Sequence, residues 1–394
     1  MGTRSLASLR APALVLFASF FALAPSPASA AGANWERWQT TIPGVFDLGG
    51  PRSDGLLVAA GSANLYLADP AGNVVPFAQG PGGYHEDPGG EAYLAVSPRA
   101  RVVGAGCNFA RDDVFLLRLH APLGVERVDS AGQNTGAFAD IPGVTSLGGI
   151  AFDTTGAFDH RLLATGASGG KTVVSAIDCY GTVQVITRSA PSTEGGLAVA
   201  PEGFGSFGGD LLAPDEYTGR IYAIAPDGSV ATVAQPALPT GGDIGVESLG
   251  FVPAGFMEGG EVYYADRKTP NNAHPGTDAV LRLSSAYLSA AGVRDGDLLA
   301  ATEGGATLIA VHCDATCSVI TVVATQTTSH GEGHIVFTVE KTVPSPIPSP
   351  TMKAAPKTTP SRSSDTATNA VIATAIVIAL VALVLALGVP RRRT

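Results

Sequence analysis

A short phrase that begins with a glutamate recurs along the sequence. Copies begin at Glu91, Glu194, Glu247 and Glu332, and in each copy the acid precedes an apolar run such as Leu-Ala-Val. A fifth copy at Gly148 keeps the apolar run and lacks the acid. If the copies occupy equivalent strands of one fold, their carboxylates meet in one place. Carboxylates that meet repel one another, which raises their pKa values or calls for a cation.

Polar residues near the ends of neighbouring strands extend this set. A strand and its antiparallel successor place the start of one beside the end of the other, so residues that follow a second strand approach the same mouth. The candidate metal ligands are Glu91, Glu194, Glu247, Glu332, Asn108, Asp215 and Asp266. Hard oxygen donors of this kind favour Ca²⁺ first, and Mg²⁺ or Mn²⁺ second. In the alternative interpretation the glutamates accept backbone hydrogen bonds and only hold the fold together.

Other chemistry is less well supported by the sequence. His330 and His334 flank Glu332 at alternate positions, which is compatible with zinc or with a polar cluster at a strand end. Ser206 lies in a glycine-rich stretch between two predicted strands, not on a strand-to-helix elbow, so it is not a hydrolase nucleophile. No phosphate loop or dinucleotide fingerprint is present.

The spacing of the phrases predicts the fold. Short runs rich in Val, Ile, Leu and Tyr alternate with turns rich in Gly, Pro, Asp and Asn, and the phrases recur at intervals of roughly 50 residues, as in the blades of a β-propeller. We therefore expect an all-β propeller of about six four-stranded blades, with five or seven as alternatives. Two β-sandwich domains are the other possibility. Because the phrase at Glu332 comes at the end of the domain, strands from both termini should complete one blade and remove the sheet edges.

The strands within blades can also be assigned. After Glu194, runs ending at Ala213, Ile224 and Val233 predict a second, third and fourth strand. After Glu247, the runs 261–265 and 279–283 are expected to continue the same blade, and the runs from 297 to 322 to form most of another.

The stretch from Glu194 to Val233 resembles a blade of secreted propellers in the broad group of NHL-repeat and regucalcin/gluconolactonase-like proteins. The likeness rests on Gly203-Phe-Gly-Ser-Phe-Gly-Gly-Asp-Leu-Leu-Ala-Pro-Asp-Glu-Tyr-Thr-Gly-Arg-Ile-Tyr-Ala and is partial over the other blades. It implies the propeller fold. It also implies, as an alternative function, a lactone hydrolase in which Glu91 or Glu194, Asn108, and Asp215 or Asp266 hold a divalent ion.

The two ends of the chain predict display at a cell surface. Residues 1–30 combine arginines, an apolar run and a small-residue cleavage site, as in a secretory signal. Residues 31–342 form the propeller, 343–369 a stalk rich in Pro, Ser and Thr, 370–389 an apolar helix of about 20 residues, and 390–394 a cytoplasmic tail with three arginines. A removable lipid-anchor signal is the alternative, although such signals end in apolar residues.

Four cysteines fit an oxidising compartment. Cys313 and Cys317 are separated by a tight-turn spacing that favours a local bridge, which leaves Cys107 to pair with Cys179. Zinc is the alternative, but no second pair stands at finger spacing.

The charge balance limits the partners. A formal net charge of -10 with few clustered basic residues argues against nucleic acid. The expected function is thus a membrane-anchored, extracellular binding or scaffolding module for an unidentified ligand or protein, with a divalent cation at the channel mouth. No catalytic residue is assigned.

Overall fold

The computed structural model describes residues 35–85, 90–323 and 327–339. The predicted signal at 1–30, stalk at 343–369, membrane helix at 370–389 and tail at 390–394 lie outside these ranges. Within them, no helix has the length and apolar character needed to cross a membrane.

Twenty-six strands make up nearly all of the described fold. In chain order they are β1 (Glu36–Gln39), β2 (Val45–Gly49), β3 (Leu57–Gly61), β4 (Asn64–Ala68), β5 (Val74–Phe77), β6 (Leu94–Val96), β7 (Arg101–Val102), β8 (Cys107–Asn108), β9 (Val114–Arg118), β10 (Gly124–Val128), β11 (Asn134–Asp140), β12 (Ser146–Phe152), β13 (Leu162–Ser168), β14 (Lys171–Ile177), β15 (Val183–Ala190), β16 (Ala198–Val199), β17 (Leu211–Asp215), β18 (Arg220–Ile224), β19 (Val230–Ala234), β20 (Val246–Phe251), β21 (Glu261–Asp266), β22 (Ala279–Ser284), β23 (Leu298–Thr302), β24 (Leu308–Cys313), β25 (Cys317–Val323) and β26 (Gly331–Thr338). One short helix, α1 (Ser285–Ala290), and 3₁₀ turns at Gly205–Phe207 and Phe256–Glu258 complete the described elements.

Twenty-four of the strands form six antiparallel sheets of four strands each, arranged as a propeller, and β7 and β8 form a separate two-stranded hairpin. From the channel outwards, blade 1 is β2-β3-β4-β5, blade 2 is β6-β9-β10-β11, blade 3 is β12-β13-β14-β15 and blade 4 is β16-β17-β18-β19. Blade 5 is β20-β23-β24-β25, and blade 6 is β26-β21-β22-β1. Each inner strand contacts the inner strand of the next blade, and β26 contacts β2. The predicted all-β propeller of six four-stranded blades is therefore confirmed.

A recurring turn links the third and fourth strands of the first blades. In blades 1 to 3 an aspartate carbonyl, of Asp69, Asp129 or Asp178, accepts a hydrogen bond of 2.9 Å from the amide of the glycine three residues later. These glycines have φ of 86°, 86° and 81°, a region that a residue with a Cβ enters at a cost. The Asp and Gly residues at these turn positions in the sequence therefore specify the register of the outer strands.

The ring closes in blade 6, as predicted from the position of the last phrase. The outer strand β1 comes from the N-terminal part of the propeller and pairs with β22, whereas the inner strand β26 comes from its C-terminal end and pairs with β21. Trp35, just before β1, is buried against Tyr264, and its indole N–H donates to the Ala306 carbonyl at 2.8 Å. Both chain ends are thereby tied into one sheet.

The order of strands in blades 5 and 6 differs from the prediction. The run 261–265 does not pair with the inner strand that carries Glu247, because β20 pairs with β23 and β21 pairs with β26. The chain thus enters blade 6 for β21 and β22, returns through α1 to finish blade 5, and re-enters blade 6 as its inner strand. The period of the phrase could not detect this exchange because the candidate partners are all short apolar strands.

We expect Trp35→Phe to lower the free energy of unfolding by about 1–2 kcal/mol, because the buried Ala306 carbonyl loses its donor while most of the apolar volume remains. Chemical denaturation measured by circular dichroism tests this, with Trp38→Phe as the matched control. Trp38 packs against Tyr263 and has a more exposed indole, so Trp38→Phe should lower the free energy of unfolding by less than Trp35→Phe does. Equal losses in the two variants would contradict a special role for the Trp35 hydrogen bond.

Both predicted disulfides are confirmed. Cys313 and Cys317 bridge the hairpin of β24 and β25, and Cys107 pairs with Cys179 across 72 residues of sequence. Cys107 belongs to β8 of a small hairpin, β7–β8, which is inserted between the first and second strands of blade 2, and Cys179 follows β14 of blade 3. The second bridge therefore joins two neighbouring blades.

Candidate cation site at the channel mouth

A buried ion pair crosses the channel. One carboxylate oxygen of Asp47, in β2, accepts hydrogen bonds from the backbone amide of His334 at 2.7 Å and from the His334 Nδ1 at 2.9 Å. The other carboxylate oxygen of Asp47 accepts a hydrogen bond from the Leu94 amide at 2.7 Å. On the far side, His334 Nε2 lies 2.8 Å from the Ile150 carbonyl oxygen. Burial alone would lower the His334 pKa, but the charge of Asp47 and the hydrogen bonds to Asp47 and to the Ile150 carbonyl together outweigh burial, and the pKa is raised. The pair links blades 1, 2, 3 and 6 at the axis.

Glycines allow the inner strands to approach this closely. A Cβ at Gly195 would collide with the backbone carbonyl and carboxylate of Glu247, and one at Gly196 with the carbonyl of Gly333. Gly195 and Gly333 also have φ of 92° and 71°. The glycines that follow the acid in the phrases of Glu194 and Glu332 are therefore required by the narrow channel.

Two of the recurring glutamates are buried around a tyrosine. The Tyr93 hydroxyl lies 2.9 Å from Glu247 Oε1 and also contacts Glu332 Oε1. A phenol carries one proton, so it donates to one carboxylate and accepts from the other only if that carboxyl is protonated. Burial, followed by repulsion from neighbouring carboxylates, holds the pKa values of Glu247 and Glu332 well above their ordinary range.

An arginine connects this pair to the rim. Arg267, directly after β21, forms ion pairs through Nη1 with Glu91 and, at 3.4 Å, with Glu332 Oε2. Burial opposes its charge, but the two glutamates more than compensate and the Arg267 pKa is raised. Glu91 is half-exposed, so three of the recurring acids are joined from the channel interior to its rim.

Two further acids extend the cluster on the side of blades 4 and 5. Glu216 follows β17, Glu303 follows β23, and their carboxyl groups share a hydrogen bond. Burial first and then the neighbouring negative charge raise the pKa of Glu216 to about 7. Burial and the charge of Asp243 raise the pKa of Glu303 to about 8. At neutral pH the two carboxyls therefore share a proton.

The fourth recurring glutamate lies at the solvent edge of this group. Glu194 is exposed, but protein atoms crowd its carboxyl, and this desolvation together with Glu91, Glu216 and Asp243 raises its pKa to about 7. The amide of Asp243 donates to Glu216 at 3.1 Å, which places Asp243 on the same rim. We call the set of Glu91, Glu194, Glu216, Asp243, Glu247, Glu303 and Glu332 the acid mouth.

Two overlapping sets of side chains in the acid mouth have the geometry of metal ligands. Glu216, Glu247 and Glu303 each bring an oxygen within 4.8 Å of the others, and Glu303, His330 and Glu332 form a second such set. His330 is buried, its Nε2 lies 2.8 Å from Glu303, and its Nδ1 has no hydrogen-bond partner among the described residues. Glu303 belongs to both sets.

The carboxylates of two further predicted ligands, Asp215 and Asp266, accept hydrogen bonds from backbone amides. Asp215 accepts the amides of Tyr217 and Thr218, at 3.1 and 3.2 Å, and fixes the turn after β17. Asp266 is fully buried and accepts the amides of His330 and Thr277, at 2.8 and 3.1 Å. Both side chains stabilise backbone turns beside the mouth, as the alternative interpretation expected for the glutamates.

Asn108 lies elsewhere. It pairs with Arg101 in the inserted hairpin, and the second strand of blade 2 is β9, which comes after it. Because β6 runs away from the acid mouth, the hairpin that follows β6 lies at the opposite end of the channel.

Several residues of the mouth were not among the predicted ligands. Glu216, Glu303 and Arg267 each occupy the position directly after the second strand of blades 4, 5 and 6. The sequence prediction used this position, but in blades 4 and 6 it selected Asp215 and Asp266, which stand one residue earlier, as the ligands. Nothing in the sequence indicates that Tyr93 and Asp47 face the axis.

Comparison with known proteins finds distant structural similarity only. Solved structures similar to this chain include the nidogen/laminin complex (TM-score 0.45, 11% identity, 74% of this chain and 84% of that chain). A putative gluconolactonase (0.43, 13%, 75% and 83%) and virginiamycin B lyase from Staphylococcus aureus (0.38, 11%, 75% and 92%) are also similar. Propellers of the gluconolactonase-like group are thus among them. No protein-family model and no curated protein matches the sequence. A likeness this distant says nothing about activity.

Proposed function

We propose that this propeller is a cell-surface binding module that holds a Ca²⁺ ion in the acid mouth, with Glu216, Glu247 and Glu303 as ligands. The main support is the approach of their three carboxylate oxygens to within 4.8 Å of one another. Two Ca–O distances of about 2.4 Å together roughly equal this separation, so one Ca²⁺ ion fits between the three oxygens. Three carboxylates also provide up to six oxygen donors, and water can complete the shell.

The electrostatics of the mouth favour a cation over a purely structural role. Burial and mutual repulsion raise the pKa values of all three carboxyls, so without a cation they must hold protons that exposed glutamates release at neutral pH. A divalent ion replaces those protons and relieves the repulsion. The second set, with the His330 nitrogen, would suit Mn²⁺ or Zn²⁺ better than Ca²⁺.

Display outside the cell rests on the predicted signal at 1–30 and the predicted stalk and membrane helix at 343–389. The two disulfides are typical of proteins in oxidising compartments. An extracellular module can work with weak calcium sites, so we expect a Kd of about 10⁻⁴–10⁻³ M.

Calorimetric titration of the chelator-treated full chain with CaCl₂ tests the proposal. Glu303→Gln should weaken binding about tenfold or more, because one anionic ligand is lost. This variant also relieves repulsion, so its metal-free form should be no less stable than the wild type. Glu202→Gln removes the same charge at an exposed site and should leave binding unchanged. Absence of heat, with a melting temperature indifferent to both chelator and Ca²⁺, would refute the proposal.

A metal-dependent lactone hydrolase is the second candidate, and Glu194 is the observation that favours it. A solvent-accessible carboxyl with a pKa of about 7 beside a cation site is suited to general base catalysis. A bound divalent cation would supply polarisation of a lactone carbonyl. If the chain hydrolyses members of a lactone panel, Glu194→Gln should reduce kcat and leave the Ca²⁺ affinity nearly unchanged. If no lactone of the panel is hydrolysed, the hydrolase proposal is wrong and the binding module remains the proposed function.

A further inference from the structure

A groove of about 350 Å³ lies on the face of the propeller opposite the acid mouth. Its walls come from the segment after β6 of blade 2 and the loop after β12 of blade 3, and both strands run away from the mouth. The lining residues are Pro98, Arg99, Ala100, Arg101, Val103, Asp153, Thr154 and His160.

The groove is basic, although the chain as a whole is acidic. Neither the Arg99 nor the Arg101 guanidinium makes an ion pair or a hydrogen bond within the described residues. The carboxylate of Asp153 forms no ion pair with either arginine, and its oxygens accept hydrogen bonds from four amides of its own loop at 2.7 to 2.9 Å, including those of Phe158 and His160. Two unpaired arginines therefore face an open cavity.

The two walls are fixed relative to each other. Asp159, in the blade 3 loop, accepts the amides of Val103 and Gly104, both at 2.8 Å. The disulfide between Cys107 and Cys179 joins the same hairpin to blade 3 a few residues away. The groove is thus preorganised, which reduces the entropy lost when a ligand binds.

Three of the eleven non-glycine residues with positive φ in the described part of the chain lie at the groove. Arg99, Asp159 and His160 have φ of 66°, 59° and 56°, in the left-handed region that residues other than glycine rarely adopt. Such conformations cost energy and persist where the surrounding structure holds them, often at ligand sites. Here they orient one arginine and the loop that faces it.

We propose that this groove binds the anionic group of a ligand, a carboxylate, sulfate or phosphate, with Arg99 and Arg101 as the hydrogen-bond donors. Guanidinium groups match the planar and tetrahedral oxyanions with paired N–H donors. The exposed Val103 on the wall offers apolar contact to the body of such a ligand.

Titration of the full chain with sodium sulfate, sodium phosphate and sodium citrate, at an ionic strength matched with NaCl, tests this site. We expect at least one anion to bind with a Kd below about 10 mM, and the preferred anion identifies the source as sulfated, phosphorylated or carboxylated. Arg99→Ala/Arg101→Ala should weaken that binding about tenfold or more, since charge-assisted hydrogen bonds are lost. Arg188→Ala, an exposed arginine on β15, is the matched control and should bind as the wild type does.

Asp159→Ala separates a built site from diffuse electrostatic attraction. It removes a negative charge near the groove, so simple attraction would bind anions more tightly in this variant. Loss of the contacts to Val103 and Gly104 should instead weaken binding several-fold. Tighter binding in Asp159→Ala, unchanged binding in the double arginine variant, or no binding of any of the three anions would overturn the proposal. Ca²⁺ titration of the same variants should be unaffected, so failure here is distinguishable from failure of the calcium site.

Discussion

Asp47→Ala is expected to lower the free energy of unfolding by about 3–5 kcal/mol, because it leaves the buried His334 charge without its partner. The loss extends beyond the ion pair. The amides of Leu48, Leu94 and His334 also donate to Asp47, so three strands lose an acceptor that no water reaches easily. Urea denaturation followed by circular dichroism measures the effect. Asp54→Ala, which breaks a surface pair with Arg52 in the same blade, should cost less than about 1 kcal/mol.

A double-mutant cycle shows whether the pair itself carries this stability. Asp47→Ala/His334→Ala should cost less than the sum of the two single variants, because neither charge is then stranded. Additive losses, or an Asp47→Ala variant as stable as Asp54→Ala, would show that the channel axis does not depend on this ion pair.

The metal-free protein is expected to be more stable at pH 5.5 than at pH 8. The folded-state pKa values of Glu194 and Glu216 are about 7 and that of Glu303 is about 8, above the unfolded value of about 4.5. Between these values the unfolded chain binds fewer protons than the folded one, so stability falls as the pH rises from about 4.5 to 8. The pKa of His334 is also raised, so its contribution to the stability of the fold likewise decreases as the pH rises.

Melting temperatures in the presence of a chelator measure this effect. For a domain of this size, each kcal/mol of stability shifts the melting temperature by roughly 2–4 °C or less. Ca²⁺ binds the ionised carboxylates, so it should raise the melting temperature more at pH 8 than at pH 5.5. Glu216→Gln/Glu303→Gln should flatten the pH profile of the metal-free protein. A profile that rises toward pH 8 in the wild type, or one left unchanged in this variant, would contradict the assignment of the acid mouth.

The sequence by itself determined the repeat, and with it the propeller, an approximate number of blades and the closing of the ring by both chain ends. These features rest on local signals. Alternating apolar residues specify strands, Asp and Gly specify the turns at Asp69, Asp129 and Asp178, and cysteine spacing specified the Cys313–Cys317 bridge, which left Cys107 to pair with Cys179. The four recurring glutamates were also visible, and the structure brings them to one mouth.

Only the tertiary structure decided which strands pair over long distances and which side chains complete the mouth. The exchange of β21 and β23 between blades 5 and 6 depends on packing between apolar strands of similar composition, which no local pattern records. The same holds for Tyr93, Asp47 and Arg267. Their roles arise because glycines such as Gly195 and Gly333 let strands from different blades approach at the axis, and burial there, not the residue type, sets their charges and partners.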